Sequence, residues 1–303
     1  MTRKPFYADL DASIRTLLLA QIRNLWTHTS TALEGNSLTL GDTAFLLEEG
    51  LTVAGKPLRD HQEVIGHAKA IEIIYDLMAK DQIQDKDLFA LHRAVLTDAV
   101  VDIFKPAGAW KNEPNFTTYI GEDGRQRYRE FPTPRNTPVL MGQWLRRLNA
   151  ALHGDLTDRE AVQVYADLHL TFVTIHPFFD GNGRVARLIS NVPVLHAGFP
   201  PIVVPTEARQ AYKRMVSDYQ ATISDLDGLK DLGTLPDNIE RQHFREMCQS
   251  YWEPTQALMR QAQTMQQHLV AGRVSGLPSN EAHAETDNVS STPPVRPRKP
   301  KKP

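Results

Sequence analysis

An all-α chain with one small β-hairpin is the fold class this sequence predicts, and three observations predict it. Apolar residues recur three and four positions apart in nearly every patterned stretch, which is helical spacing. Helix punctuation recurs with it: a Thr157-Asp158-Arg159-Glu160 capping box, and glycines just past the ends of apolar runs. Only between residues 116 and 131 does the pattern change to β-branched and aromatic residues around a turn rich in Gly, Asp and Glu.

The first helix is marked by Ile14, Leu17, Leu18, Ile22, Leu25 and Trp26, with Gly35 as its stop. Glu34 then lies near a helix C-terminus, where a carboxylate is disfavoured by a few tenths to about 1 kcal/mol unless a cation faces it. Ser30, four residues earlier, points the same way. A short helix is expected over Leu38 to Glu49, ended by Gly50. Past the Gly55-Lys56-Pro57 loop comes a longer one from about Asp60 to Met78, then one from Lys86 to Leu96. The hairpin pairs Phe116–Ile120 with Arg127–Phe131 around a turn from Gly121 to Gly124, closed by Pro132 and Pro134. Such a hairpin can hold a partner's extended segment by strand addition.

From the capping box a helix runs to His176, with Val164, Leu168 and Phe172 as a core stripe. In the following helix Pro193 predicts a kink about three turns in, and Gly198 with Pro200-Pro201 an end. Leu235 to Val270 reads as a further helical region packed through Phe244, Met247, Tyr251 and Trp252. From Ala271 the composition becomes Ser, Pro and charge, which predicts disorder. The expected organisation is an N-terminal helical region (1–84), a catalytic domain (85–232), a helical extension (233–270) and a basic tail (271–303).

The stretch from His176 to Arg187, HPFFDGNGRVAR, carries the chemistry. Gly181 and Gly183 flank Asn182, so the backbone can turn its N–H groups toward one point, and a helix starting near Gly183 adds its dipole there. Arg184 and Arg187 share a helix face, and their planar guanidinium groups suit phosphate oxygens. Asp180 would be repelled by phosphates at that point unless a cation lies between, which makes it a Mg²⁺ or Mn²⁺ ligand. His176 has the side chain best suited to accept a proton near neutral pH.

This stretch resembles the signature of the Fic family, HPFx(D/E)GNGRxxR, at every specified position. The resemblance implies transfer of AMP from ATP to a Ser, Thr or Tyr hydroxyl of a target protein, self-modification included. It implies His176 as general base, Asp180 as the metal ligand, and Phe178 as the apolar anchor of the loop. Gly181, Asn182 and Gly183 would cradle the α-phosphate, Arg184 would meet the β-phosphate and Arg187 the γ-phosphate. It further implies that the flap residues Thr118, Tyr119, Ile120 and Gly121 line the nucleotide, with Tyr212 near the base. Doc-type relatives, which transfer a phosphoryl group, carry Lys where this chain has Gly183, and that difference favours nucleotidyl transfer.

Ser30 to Asn36, STALEGN, resembles the family's inhibitory motif, (S/T)xxxE(G/N). It implies that Glu34, with Ser30 on the same face, pairs with Arg187 and fills the space of a γ-phosphate, restraining the enzyme in cis. In some relatives this carboxylate positions water to remove AMP, so a deAMPylase or a bifunctional enzyme is the alternative reading. EGNSLTL, the GKPL turn and HQEVIGHAKA resemble the N-terminal extension of Fic proteins related to the animal endoplasmic-reticulum enzyme. Departures from the family pattern are Lys111 where an Arg is common, a lengthened approach over Asn112 to Asn115, and Lys213 and Gln220 beyond Tyr212.

Composition sets the outer bounds. With 303 residues and 41% hydrophobic content the chain can bury a substantial core. A net charge of −2 argues against a nucleic-acid-coating protein, although the tail from Gly272 carries +3. Cys248 is the only cysteine, which excludes an internal disulfide and a cysteine zinc cluster and predicts a structural thiol. There is no apolar stretch of membrane-spanning length and no signal-peptide pattern, so cytoplasmic residence is expected, with a homodimer compatible, although secretion of an effector by a dedicated apparatus would leave no such mark.

Overall fold

A computed structural model describes residues 4–96, 106–120 and 124–275. Its helices are α1 (Ala12–Ala32), α2 (Leu40–Glu49), α3 (Leu58–Leu77), α4 (Asp85–Leu96), α5 (Thr137–Leu152), α6 (Asp158–Ile175), α7 (Asn182–Ile189), α8 (Val192–His196), α9 (Arg209–Ala221), α10 (Ile239–Ser250) and α11 (Glu253–Ser275). Strands β1 (Phe116–Ile120) and β2 (Gln126–Glu130) form the described hairpin, antiparallel with Phe116 opposite Glu130 and Ile120 opposite Gln126. Contacts gather the chain through Gln266 into one unit, which holds the core and the motif, and the end of α11 belongs to a second.

Local chemistry explains most boundaries. Asp11 caps α1 by accepting the Ser13 N–H at 3.0 Å. Capping boxes open α2 (Thr39 with Asp42) and α6 (Thr157 with Glu160). Gly50 ends α2 in the left-handed conformation, at φ 70°. After α8 the N–H of Gly198 returns to the Leu195 carbonyl and that of Phe199 to the Val194 carbonyl, the paired bonds of a Schellman end.

Helix α6 contributes to both sides of the core of the first unit. One side of it, with Leu168 and Phe172, joins a core of Trp26, Ile74, Leu91, Trp144, Leu148, Phe178 and Leu188. Its other side, with Tyr165 and Leu170, packs on Leu33, Tyr212, Phe244 and Trp252. Trp144 lies fully buried against it and donates its indole N–H to the Leu168 carbonyl at 2.9 Å. Fully burying one such apolar side chain contributes about 1.5–3 kcal/mol. An element buried on both sides gives whatever stands at its end a fixed address, and His176 stands there. No described helix is long and apolar enough to cross a membrane.

Several expectations need correction. Pro193 does not kink one helix but sits in the first turn of a separate one, α8. Proline has no N–H for the Ile189 carbonyl. Asn191 meanwhile takes the Arg187 and Ile202 carbonyls with its side-chain amide, both at 2.9 Å, so the chain divides there. The region from Leu235 to Val270 is likewise two helices: Asn238 caps α10, and Pro254 in the first turn of α11 prevents continuous bonding through Tyr251 and Trp252. Helix α1 stops at Ala32, so Gly35 (φ 104°) lies beyond its cap rather than at it. Helix α5 fell in a stretch for which no element was expected, because Pro132, Pro134 and Pro138 masked its apolar stripe. Helix α11 extends past Ala271 to Ser275, while the rest of the tail and the turn residue Gly121 lie outside the described residues. Cys248 is buried, and burial pushes its thiol up.

Candidate active site

His176 is the cap of α6, held at φ 52° and ψ 58°. Among the described residues it is the one non-glycine with positive φ. That conformation costs an L-residue about 1–2 kcal/mol, and the surroundings impose it. The ring stacks on Phe131, centroids 3.9 Å apart and planes 3° from parallel. Nδ1 faces the Val173 carbonyl at 3.3 Å. A carbonyl can only accept, so Nδ1 carries the proton and Nε2 keeps its lone pair. Burial first, and then the Lys111 charge, lowers the His176 pKa to about 4, leaving the imidazole neutral at physiological pH.

Beyond His176 the loop is closed tightly on itself. Phe178 is fully buried and stacks on His92 at 3.8 Å. Asn182 accepts the Phe178 N–H at 2.9 Å and donates to its carbonyl at 2.7 Å. Its side-chain carbonyl and one of its two amide hydrogens are therefore committed to the Phe178 backbone. Gly181, at φ 74°, turns the chain into α7, whose first amides have no partner within the helix. Asp180 accepts the Gly181 N–H at 2.6 Å through Oδ1, while Oδ2 lies 3.5 Å from Arg184 on a side chain that is 70% exposed.

A carboxylate of the chain itself lies at the start of α7. Glu34 Oε1 lies 2.8 Å from Arg187 Nη2 and would stand 2.7 Å from a Cβ placed on Gly183. Glu34 Oε2 lies 3.9 Å from Lys213 Nζ. Burial works to raise the Glu34 pKa, but Arg187, with smaller help from Lys213 and Arg184, outweighs it and the pKa is lowered. Arg187 is buried and donates to the Ser30 hydroxyl (3.0 Å), the Ser30 carbonyl (2.8 Å) and the Tyr212 hydroxyl (3.4 Å). Ser30 and Glu34 thus meet one guanidinium, as their spacing suggests. Arg209 holds the end of α1 by donating to the Leu33 carbonyl at 2.8 Å.

A cleft of about 360 Å³ opens beside these groups, lined in part by Glu34, Thr118, His176, Gly183, Tyr212 and Lys213. Thr117, the neighbour of Thr118, also lines it, whereas the Tyr119 ring lies under the Arg129 guanidinium at 4.3 Å. The Ile120 backbone pairs with Gln126. The Tyr212 hydroxyl meets His169 at 2.8 Å as well as Arg187, so its polar end braces the arginine.

The sequence reading missed the residues that hold the loop from behind. Gly108 N–H donates to His92 Nδ1 at 2.8 Å, which leaves Nε2–H to donate to the Asp180 carbonyl at 3.1 Å. Lys111 and Asn115 bond the loop on its other side. A lone histidine in an apolar stripe carries no signal of such a role. No cluster of three or more His, Cys, Asp or Glu able to hold a metal occurs among the described residues. A divalent ion at Asp180 would need its remaining ligands from phosphates and water, which suits the exposed carboxylate.

Comparison with known proteins places these features. Residues 82–193 match the Fic/DOC family. Over 215 residues the chain is 34% identical to "Protein adenylyltransferase fic-1" of Caenorhabditis elegans, covering 67% of this chain and 37% of that protein. "Protein adenylyltransferase Fic" of Drosophila persimilis is 34% identical over 184 residues, 60% of this chain and 33% of the relative. The chain thus spans about a third of the length of these curated relatives. A solved Fic domain-containing signaling protein from Bacteroides thetaiotaomicron superimposes with a TM-score of 0.72 at 26% identity, over 85% of this chain and 93% of that one. Fic-1 from C. elegans superimposes with a TM-score of 0.64, also at 26% identity, over 86% of this chain and 69% of its own.

Proposed function

Since the chain carries a Fic domain over residues 82–193, we propose that it is a protein adenylyltransferase that moves AMP from ATP to a Ser, Thr or Tyr hydroxyl of a target protein, restrained in cis by Glu34. The observation that carries this reading is a neutral His176 lining the same cleft as Gly183, at whose helix start Glu34 pairs with Arg187. A base and an anion site share one cavity, and the anion site already holds a carboxylate.

The target hydroxyl loses its proton to His176 Nε2 as its oxygen bonds to the α-phosphorus. The bond to the bridging oxygen breaks, and pyrophosphate leaves. The amides of Asn182 and Gly183 face the charge that develops on the α-phosphate. Arg184, buried beside Asp180, meets the departing phosphates. Asp180 would hold a Mg²⁺, which neutralises charge on the phosphate oxygens when bound. Arg187 receives the γ-phosphate only after Glu34 has left it. Most of the acceleration comes from positioning and electrostatics, with His176 adding roughly 10²–10⁴-fold.

Hydrolytic removal of AMP from a modified target is the second reading, favoured by one fact: the Glu34 carboxylate lines the cleft that holds His176. There it can orient a water toward an AMP–protein bond. Phosphoryl transfer is disfavoured by Gly183. Cytoplasmic residence remains our reading of a chain with no spanning helix among its described residues.

The test compares wild type, Glu34→Gly and Glu34→Gly/His176→Ala with α-labelled ATP and Mg²⁺, reading label on the protein itself and on added targets. Label should be faint, strong and absent in turn. Label arriving from the γ- rather than the α-phosphate would overturn adenylyl transfer. AMP release from a pre-modified target that needs Glu34 would favour the second reading.

A further inference from the structure

We propose that Lys111 and Asn115 form a positioning clamp that holds the backbone of the His176 loop, and with it the aim of the His176 ring. The kinetic consequence rests on the adenylyl-transfer reading; the structural one does not.

The end of a helix leaves carbonyls without partners, and here they continue into the loop. Four successive carbonyls are met from the 111–115 segment. Lys111 Nζ donates to the Ile175 carbonyl at 3.3 Å, and the Lys111 N–H donates to the Pro177 carbonyl at 2.8 Å. Asn115 Nδ2 donates to the His176 carbonyl at 3.1 Å and to the Phe178 carbonyl at 2.9 Å. The two side chains are joined, Lys111 Nζ to Asn115 Oδ1 at 2.7 Å. The segment Asn112–Asn115, a mere lengthening of the approach to the flap in the sequence, returns an amide over the carbonyls its own lysine has started to cover.

The clamp also reaches the other face of the catalytic ring. Asn115 accepts the Phe131 N–H through its carbonyl at 3.1 Å, and Phe131 is the ring on which His176 stacks. Lys111 Nζ lies 5.9 Å from the centroid of that same phenyl ring. Lys111 is 2% exposed, and no carboxylate pairs with it among the described residues. A buried cation without a counter-ion is costly, but two acceptor oxygens and the negative end of the α6 dipole partly offset that cost. Burial lowers its pKa to about 7, and its charge in turn lowers that of His176. Neither residue lines the cleft, so both act through His176.

The strained conformation of His176 explains why a clamp is needed. At φ 52° the peptide after His176 lies in a conformation the chain would leave if its carbonyl were released. One amide gripping the carbonyls of residues 176 and 178 together prevents that rotation.

The experiment uses the full chain in a Glu34→Gly background with three further variants: Lys111→Met, Lys111→Arg and Asn115→Ala. In one arm, label transfer from α-labelled ATP separates kcat from KM. In the other, nitrogen NMR follows the His176 ring and its titration without nucleotide, with thermal melts to confirm folding. Asn115→Ala and Lys111→Met should each lower kcat about ten- to hundredfold with KM for ATP changed less than about threefold, since a displaced base costs turnover rather than binding. Lys111→Arg should recover most of the lost turnover. Lys111→Met should also raise the His176 pKa, and Asn115→Ala should give His176 more than one ring environment. An unchanged His176 spectrum and titration in folded variants would overturn the clamp, as would equal losses in kcat and in nucleotide binding. If Lys111→Met does not fold, Asn115→Ala and Lys111→Arg decide the matter. If no variant transfers label, the adenylyl-transfer reading fails, and the NMR arm still judges the clamp.

Discussion

Two segments meet at the start of α7, and they are held in opposite ways. The loop from His176 to Asn182 is fastened by neutral hydrogen bonds from Asn182, His92 and Asn115, by the cation of Lys111 and by stacked rings. Nearly all of these partners are buried, so the loop can hardly move without disturbing the core. The end of α1 is held at its tip by charge: Glu34, 32% exposed at its side chain, faces Arg187 and more distantly Lys213. Behind that tip, Ser30 and Leu33 contribute bonds to two arginines. On the proposed reading, the catalytic loop is built of short-range contacts, while the proposed restraint is an ion pair open to competition from another anion.

Removing the base should produce the largest effect. His176→Ala in a Glu34→Gly background is expected to lose about 10²–10⁴-fold in transfer of α-label, with nucleotide binding by calorimetry little changed. If that variant keeps its rate, the rigid loop is not the catalytic one and the contrast collapses.

Releasing the restraint comes next. Glu34→Gly should raise transfer by about five- to 150-fold, the usual range of coupling between two states. It should also tighten ATP binding, because Arg187 is then unopposed. Equal rates and affinities with and without Glu34 would mean that the ion pair is structural. Lys213→Ala probes the same pair at longer range. Its contact with Glu34 is 3.9 Å and part-exposed, so a rise in basal transfer of no more than about fivefold is expected.

The smallest change is expected from acid. His176 carries a pKa lowered to about 4, so the base stays unprotonated as pH falls from 7 to 5. The Glu34→Gly enzyme should therefore lose less than about twofold through this group, whereas a histidine of ordinary pKa would lose about 25-fold. Stability follows the same sign. The unfolded chain takes up this proton near pH 6.5 and the folded one only near 4, so the contribution is lost as pH falls across that window. His92, lowered to about 4, and His169, lowered to about 3, act in the same direction. A denaturant midpoint that does not move between pH 7 and 5 would contradict neutral burial of all three.

Much of this contrast was legible in the sequence, for physical reasons that differ by region. The motif announces itself because glycines, an acid and two arginines meet several chemical demands in one short segment. Glu34 and Ser30 were readable because helical spacing puts them on one face and a carboxylate at a helix C-terminus calls for a cation; that the cation would be Arg187 came only from the family resemblance. The hairpin emerged one residue displaced on its second strand, Gln126–Glu130, because alternation does not reveal that Phe131 leaves the ladder to stack on a histidine. Helix α5 was hidden by prolines that act as starts here rather than stops. The supports at His92, Lys111 and Asn115 were illegible, since their bonds go to backbone carbonyls more than sixty residues away and carbonyls leave no trace in a sequence.

Gly183 carries a consequence for how such a protein can diverge. A Cβ at that position would lie 2.7 Å from the Glu34 carboxylate and 3.0 Å from the Arg187 guanidinium. The lysine that resemblance associates with phosphoryl transfer would begin at that atom, so the Glu34 carboxylate or the Arg187 guanidinium would have to shift to admit it. On the proposed reading, a substitution that alters the reaction at this residue therefore also disturbs the proposed restraint.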